Sequence, residues 1–208
     1  MIRLEVVEGL WTVTLDRPDK ANALTSAMLE DLVRIAGEAA QGAAHALVLT
    51  GTCKVFSAGA DLDEARAGLA VSPLWEELSR ALARLPCLTV AALNGTLAGG
   101  AFGMALACDL RVAVPQAGFF YPVMRLGFLP QPSDPGRLAA LVGPSRAKMI
   151  LMAGQRIGAE EALAWGLVDR VVPAEALMQT AAELSAHARG ASASHVAAIK
   201  RFFPDPAG

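Results

Sequence analysis

The stretch from Leu93 to Asp109, LNGTLAGGAFGMALACD, constrains the fold of this chain more than any other. It follows the apolar, strand-like residues 89–93, turns at Asn94-Gly95, passes through Gly99-Gly100 and continues as small apolar residues typical of a buried helix. Because glycine has no side chain, a ligand can approach the main chain there, and free N–H groups at the start of a helix can stabilise negative charge. Taken by itself, a glycine pair of this kind more often serves helix packing.

Short apolar runs alternate with amphipathic helical segments along the chain, which predicts an α/β domain. Helices are predicted to begin at an N-cap, Thr25, and at Ser72-Pro73, whereas the proline-rich residues 127–136 are predicted to form an irregular loop. Strands are predicted as a hairpin at 3–15 and at 46–49, 89–93, 109–114 and 168–172. With 208 residues, we expect one core domain at 1–190 and a short C-terminal helical tail at 191–208.

Composition and charge disfavour several classes of function. The net charge is −2 and no cluster of Lys and Arg is present, so we expect no nucleic-acid partner. No apolar segment has the length of a membrane span, and the charges at Arg3, Glu5 and Glu8 interrupt any signal peptide. The three cysteines lack the spacing of metal ligands or of a disulfide framework, which predicts reduced core thiols, no metal site and a cytoplasmic protein.

A second small-residue turn lies in residues 55–64, VFSAGADLDE. Together with LNGTLAGGAFGMALACDLRVA, from which a helix separates it, this segment resembles the crotonase family, the enoyl-CoA hydratase/isomerase superfamily. Residues 17–24, RPDKANAL, and 162–173, ALAWGLVDRVVP, are similar to an early and a late motif of that family, in the same order. Four ordered motifs are far more specific than one glycine pattern. The resemblance implies a crotonase-like spiral of ββα units with shortened C-terminal helices.

The resemblance also implies a site that polarises the carbonyl of an acyl-CoA thioester with two backbone amides. Here those amides fall on Ala60 and Gly100. Coenzyme A would arrive as part of the substrate, and no permanently bound cofactor is expected. A homotrimer or a dimer of trimers is expected as well. The nucleotide is expected to lie along Lys20, Ala21, Ala23, Ala58, Asp61 and Leu62. Lys20 or Arg17 is expected to lie near its phosphate.

The sequence departs from the family where hydratases carry two catalytic glutamates. Following the motifs without gaps places these positions at Gly103 and Val123, neither of which can transfer a proton. A further carboxylate of some relatives would fall on Gln131, which cannot act as an acid or base at neutral pH. Ordinary hydration of a double bond is therefore doubtful, although similarity alone would suggest a hydratase or isomerase.

Other side chains are candidates for the missing acid or base, and for each of them a non-catalytic role is more common. Glu76 ranks first because some relatives draw a base from this helix, yet a solvated surface glutamate is the commoner role. Asp134, beside Ser133 on the predicted loop, is a second candidate, yet Ser-Asp pairs more often form turns. Tyr121 could donate a proton near the acyl group, yet a buried tyrosine with a satisfied hydroxyl is more common.

Two classes of function therefore remain open. The first is an enzyme that forms an enolate or oxyanion on an acyl-CoA thioester, by isomerisation, thioester hydrolysis, C–C cleavage or decarboxylation. The alternative is a non-catalytic acyl-CoA-binding or assembly protein that kept the fold and lost the chemistry. A nucleotide-dependent dehydrogenase is disfavoured because no GxGxxG follows a predicted strand.

Overall fold

Ten strands are divided between two sheets in a computed structural model that describes residues 1–207. In chain order they are β1 (Ile2–Val7), β2 (Leu10–Leu15), β3 (Ala46–Gly51), β4 (Val55–Ser57), β5 (Leu88–Leu93), β6 (Thr96–Ala98), β7 (Leu110–Ala113), β8 (Gly118–Phe120), β9 (Ile157–Gly158) and β10 (Arg170–Val171). The main sheet has the order β1-β2-β3-β5-β7-β10, and the second has the order β4-β6-β8-β9. Neighbouring strands are parallel, except that β1 is antiparallel to β2 and β9 to β8.

The helices follow the strands. They are α1 (Ser26–Glu38), α2 (Leu62–Arg66), α3 (Leu74–Ala83), α4 (Phe102–Ala107), α5 (Val123–Leu126), α6 (Asp134–Val142), α7 (Pro144–Leu151), α8 (Ala159–Trp165), α9 (Leu177–Gly190) and α10 (Ala193–Lys200). Three of them (α1, α2 and α10) begin at a residue whose side chain accepts a capping hydrogen bond. The predicted N-cap of α1 is confirmed, since the Thr25 hydroxyl accepts a hydrogen bond from the Met28 amide at 3.2 Å. The Ser72 hydroxyl likewise accepts from the Leu74 amide at 3.3 Å, just before α3.

The predicted spiral of ββα units is present in the connectivity. Three successive strand pairs, β3-β4, β5-β6 and β7-β8, each place their first strand in the main sheet and their second strand in the second sheet. Helices follow each pair. The second strand of each pair lies parallel to the second strand of the previous pair. Strands β4, β6 and β8 are therefore neighbours, with their carboxyl ends at one edge of the second sheet. The α/β fold class predicted from the sequence is confirmed.

The hydrophobic core lies between the main sheet and the helices that cover it. Residues of β3 and β5 are almost wholly buried on both faces, as expected for parallel strands covered on both sides. Phe56, Phe102 and Phe119, which have no exposed surface, connect this core to the second sheet. Helix α3 packs against α1 and α4, so α4 lies in the interior with all of its residues buried.

Three predictions from the sequence require correction. Residues 127–136 are not an irregular loop throughout, because α6 begins at Asp134; Pro135 fits the first turn of a helix, where no N–H is needed. The strand predicted at 168–172 is reduced to Arg170–Val171. Within the predicted C-terminal helical tail, the helix spans only Ala193–Lys200.

The C-terminal tail contacts the core through two charged side chains. Lys200 donates to Oδ2 of Asp109 at 2.8 Å and to the Cys87 carbonyl at 3.0 Å, and Arg137 pairs with Asp205 at 2.5 Å. The division into a core at 1–190 and a tail stays a prediction. No helix in the part of the chain that the structure describes is long and apolar enough to cross a membrane.

Candidate active site

The candidate site lies where the second sheet brings three strand ends together. Strands β4, β6 and β8 are parallel neighbours, so the residues that follow them meet at one edge of the sheet. They enclose a cavity of about 120 Å³. The cavity is lined by Ala58, Ala60, Leu62, Ala65, Ala70, Trp75, Gly99, Gly100, Tyr121, Pro122, Val123, Leu126, Phe128, Leu129 and Gln131. The two turns singled out in the sequence, and Tyr121, therefore share one cavity.

Gly59 allows the two turns to lie against each other. Its φ of +94° is in the left-handed region, and a Cβ at this position would lie 2.9 Å from the Ala98 carbonyl oxygen. The turn is held in place by Ser57, whose hydroxyl donates to the Asn22 carbonyl at 2.8 Å and accepts from the Gly59 amide at 3.2 Å. A side chain at residue 59 would therefore force the turns apart.

The amides of Ala60 and Gly100 both belong to residues that line this cavity. Within residues 1–207, neither N–H donates a hydrogen bond to another residue, whereas the flanking amides of Gly59 and Asp61 are both engaged. The Trp75 indole packs beside Gly100, where an added Cβ would lie 3.1 Å from the ring. Trp75 itself is fixed by a 2.8 Å hydrogen bond from Nε1 to the Leu69 carbonyl. The two amides are thus available to an acceptor in the cavity.

The segment expected to bind the nucleotide lies beside the first turn. The Ala58 amide donates to the Ala21 carbonyl at 3.0 Å, which joins the two segments through their backbones. Arg17 donates to Oδ2 of Asp61 at 2.7 Å and to the Ala23 carbonyl at 3.1 Å. The Arg17 guanidinium holds the pKa of Asp61 below its usual range, and Asp61 also caps α2. Arg17 is therefore occupied, whereas Lys20 is exposed.

Glu76 does not line the cavity that contains Ala60 and Gly100. Its carboxylate accepts hydrogen bonds from the amide and hydroxyl of Ser133 and, at 2.6 Å, from Nε of Arg80. Partial burial favours a higher pKa, but the hydrogen bonds from Ser133 and Arg80 outweigh it and lower the pKa of Glu76. These contacts make Glu76 an anchor for the start of α6 and a weak proton acceptor.

Asp134 is buried directly behind the cavity wall. Its side chain has no exposed surface, and Oδ2 accepts a 2.8 Å hydrogen bond from the Tyr121 hydroxyl. Oδ1 is buried without a hydrogen-bond partner among the described residues. Desolvation is the main cause that raises the pKa of Asp134 to about 7, against the lowering influence of Tyr121 and Arg137. Burial also raises the pKa of Tyr121, and the Asp134 charge adds to that effect.

The positions where the resemblance predicts catalytic glutamates have distinct surroundings. Val123 and Gln131 line the cavity. Gly103 lies inside α4, where an added Cβ would be 3.0 Å from Oδ1 of Asp134 and 3.4 Å from the Ser79 hydroxyl. The Tyr121–Asp134 contact and the proximity of Asp134 to Gly103 were not predicted, because no local pattern connects residues on different elements.

The comparisons with known proteins agree with this architecture. Residues 5–207 match the model of the family described as enoyl-CoA hydratase/isomerase. The chain is 38% identical to a probable enoyl-CoA hydratase of Rhodobacter capsulatus, with 97% of this chain and 80% of that protein covered. It is 37% identical to 4-chlorobenzoyl coenzyme A dehalogenase-2 of an Arthrobacter species, with 82% and 65% covered.

A solved structure extends the match to three dimensions. The enoyl-CoA hydratase from Bacillus anthracis superposes with a TM-score of 0.89 at 32% identity, with 96% of this chain and 81% of that chain covered. Both the sequence match and the fold thus cover nearly all of this chain. The chain belongs to the enoyl-CoA hydratase/isomerase family.

Proposed function

We propose that this protein binds an acyl-CoA thioester with its carbonyl oxygen at the amides of Ala60 and Gly100. The observation that carries the proposal is that two amides, on neighbouring turns that line one cavity, have no hydrogen-bond acceptor among residues 1–207. An oxyanion needs donors that are already in place before charge develops, and backbone N–H groups on packed turns meet this need. The close packing of Gly59 against Ala98 fixes the position of one turn, and so of its amide, relative to the other.

The chemistry we propose is the formation of an enolate or oxyanion on the bound thioester. The cavity is lined mainly by apolar side chains, and a site without water strengthens hydrogen bonds to a developing negative charge. The hydratase and dehalogenase relatives are named for reactions of CoA thioesters, which supports the same substrate class here. Isomerisation, hydrolysis, C–C cleavage and decarboxylation all begin from this polarised carbonyl.

For the nucleotide, we propose a path along the backbone that joins the early segment to the first turn. The hydrogen bond between Ala58 and Ala21 brings these residues together, with Ala23, Asp61 and Leu62 beside them. Because Arg17 is paired with Asp61, the exposed Lys20 is the cation we assign to phosphate. Lys20→Ala should weaken the binding of acyl-CoA with little effect on a short acyl thioester that lacks the nucleotide.

The test is a comparison of two substitutions at one residue. Gly100→Ala and Gly100→Pro both add a Cβ against Trp75, but only proline removes the N–H. We expect Gly100→Pro to lower turnover over a panel of saturated and unsaturated acyl-CoA esters by roughly 100-fold more than Gly100→Ala, the loss typical of one oxyanion donor. Equal activity of the two variants would contradict the role of the amide.

The alternative is a non-catalytic acyl-CoA-binding or assembly protein, which the residues Gly103, Val123 and Gln131 favour. Calorimetric binding of acyl-CoA without turnover of any ester would support it over the enzyme.

For assembly we propose a homotrimer or a dimer of trimers, supported by exposed apolar side chains such as Leu129 and Phe202. Light scattering that shows a monomer would contradict this. We also propose a cytoplasmic location, since Cys53, Cys87 and Cys108 are free thiols.

A further inference from the structure

Tyr121 is the one titratable side chain among the residues that line the cavity in the described part of the chain. Its ring stacks on Phe102 with the centroids 5.4 Å apart, which fixes the position of the phenol. The hydroxyl donates to Oδ2 of Asp134 at 2.8 Å and accepts from the Gln131 amide at 3.4 Å. The Tyr121 hydroxyl therefore connects a residue of the cavity wall directly to the buried Asp134 carboxylate.

The carboxyl group of Asp134 is unusual because it is buried in the interior next to the cavity. It is fully buried, and Oδ1 has no hydrogen-bond partner among residues 1–207. An unpaired carboxylate oxygen in an apolar interior is costly, so a sequence selected for stability alone has little reason to place one there. The space that Oδ1 occupies is open because residue 103 is glycine.

We propose that Tyr121 and Asp134 form a proton-transfer pair for the α-carbon of the bound acyl group. Tyr121 is the catalytic residue, because it lines the cavity, and Asp134 is the positioning residue that stores the proton behind it. This inference rests on the proposed function, since it needs the thioester carbonyl to be held at Ala60 and Gly100.

The transfer balances in protons and electrons. When the C–H bond at the α-carbon breaks, its proton passes to the Tyr121 oxygen, and the Tyr121 proton passes to Oδ2 of Asp134. The electron pair of the C–H bond forms the enolate, whose charge rests on the thioester oxygen at the two amides. In the reverse direction, Asp134 returns its proton to Tyr121, and Tyr121 protonates carbon. Return to a different carbon of an unsaturated acyl group would move the double bond.

The charged groups around Asp134 suit this task. Arg137, on the same helix, lowers the pKa of Asp134, but it is itself neutralised by Asp205. Burial is the main cause that raises the pKa of Asp134, and Glu76 from α3 adds to it. The resulting pKa of about 7 makes the carboxyl both donor and acceptor near neutral pH. Ser79, which Arg137 contacts, is a further polar neighbour near Gly103.

The experiment measures deuterium incorporation at the α-carbon of butyryl-CoA in heavy water by mass spectrometry. We compare the wild type with Tyr121→Phe, which keeps the ring on Phe102, and with Asp134→Asn, which keeps the shape and an acceptor for Tyr121. Glu77→Gln, an exposed acid on α3, is the matched control. Each of the first two variants should lose roughly 100-fold in exchange rate with butyryl-CoA affinity changed less than threefold, and the control should exchange as the wild type does.

A pH profile separates proton transfer from a merely structural role. Exchange by the wild type should show an inflection near pH 7 that is lost in Asp134→Asn. If both variants exchange at the wild-type rate, or the inflection persists in Asp134→Asn, the pair is wrong while the proposed function stands. If the wild type binds butyryl-CoA but exchanges no proton, the pair and the enolate chemistry are both wrong. If it does not bind, acyl-CoA binding itself is wrong.

Discussion

A Cβ added to Gly103 would lie 3.0 Å from Oδ1 of Asp134, closer than ordinary van der Waals contact. The two residues belong to different helices, α4 and α6, and compete for one space beside the cavity wall. A side chain at residue 103 would therefore require the Asp134 carboxylate to move from its present position. The carboxylate beside Gly103 belongs to α6, whereas Gly103 itself belongs to α4.

Gly103→Ala should displace the Asp134 carboxylate. Overpacking of a full interior costs about 1–3 kcal/mol, and we expect a loss of this size in the free energy of unfolding, measured by urea denaturation. Gly37→Ala is the matched control, because Gly37 is also helical but an added Cβ there would have no atom from another described element within 4 Å. It should stabilise the protein by about 0.5–1 kcal/mol, the helix propensity of alanine over glycine. Equal effects of the two substitutions would contradict the contact.

Asp134→Asn should change how stability depends on pH. The folded state raises the pKa of Asp134 from 3.8 to about 7, so it binds this proton more tightly than the unfolded chain does. The stabilising contribution of the protonated group is complete below pH 3.8 and is lost as the pH rises through about 7. Each pKa unit corresponds to about 1.4 kcal/mol.

Thermal denaturation between pH 4 and 8 checks this sign. As the pH rises from 4 to 8, the wild type should become progressively less stable relative to Asp134→Asn, because only the wild type must ionise a buried carboxyl. The pKa of Glu76 is lowered, so its contribution is lost on acidification and runs in the opposite direction. A difference in melting temperature between variant and wild type that is constant across the range would show that Asp134 does not titrate there.

Gly59→Ala should separate the two turns and weaken acyl-CoA binding. Both Gly59 and Gly42 have φ of +94°. An added Cβ at Gly59 is 2.9 Å from the Ala98 oxygen, whereas at Gly42 it meets no atom of the described residues within 4 Å apart from its chain neighbours. Gly42→Ala therefore carries the same backbone strain, about 1–2 kcal/mol, without the contact. We expect calorimetry to show at least tenfold weaker acyl-CoA binding for Gly59→Ala alone. Unchanged affinity would show that acyl-CoA binding does not depend on the close packing of the two turns.

Asp205→Ala should leave Arg137 buried without its carboxylate. Arg137 is only 3% exposed and Asp205 is 29% exposed, so water can partly replace the lost partner. We expect a loss of about 1–3 kcal/mol in the free energy of unfolding, below the cost of breaking a fully buried pair. Glu38→Ala removes the carboxylate of an exposed pair with Arg34 and should cost much less, because water screens exposed charges. A loss equal to that control would show that the tail contributes little to the stability of the core.

Much of the fold was predictable because its causes are local. Alternating apolar residues predicted β1 and β2, the small-residue runs predicted buried strands and α4, and Thr25 marked the start of α1. Pro135 was misread as part of a loop because proline fits both a loop and the first turn of a helix. The family followed from four ordered motifs, which also identified the turns of Ala60 and Gly100.

What the sequence by itself determined, then, is the order of strands, turns and helices, the family, and the two small-residue turns that contain Ala60 and Gly100, since small residues and periodicity are visible along the chain. Only the tertiary structure decided which side chains surround them. It placed Asp134 behind Tyr121, directed Glu76 to Ser133, and paired Arg17 with Asp61. Hydrogen bonds, burial and pKa depend on residues distant in sequence that packing brings together, and no local pattern encodes that distance.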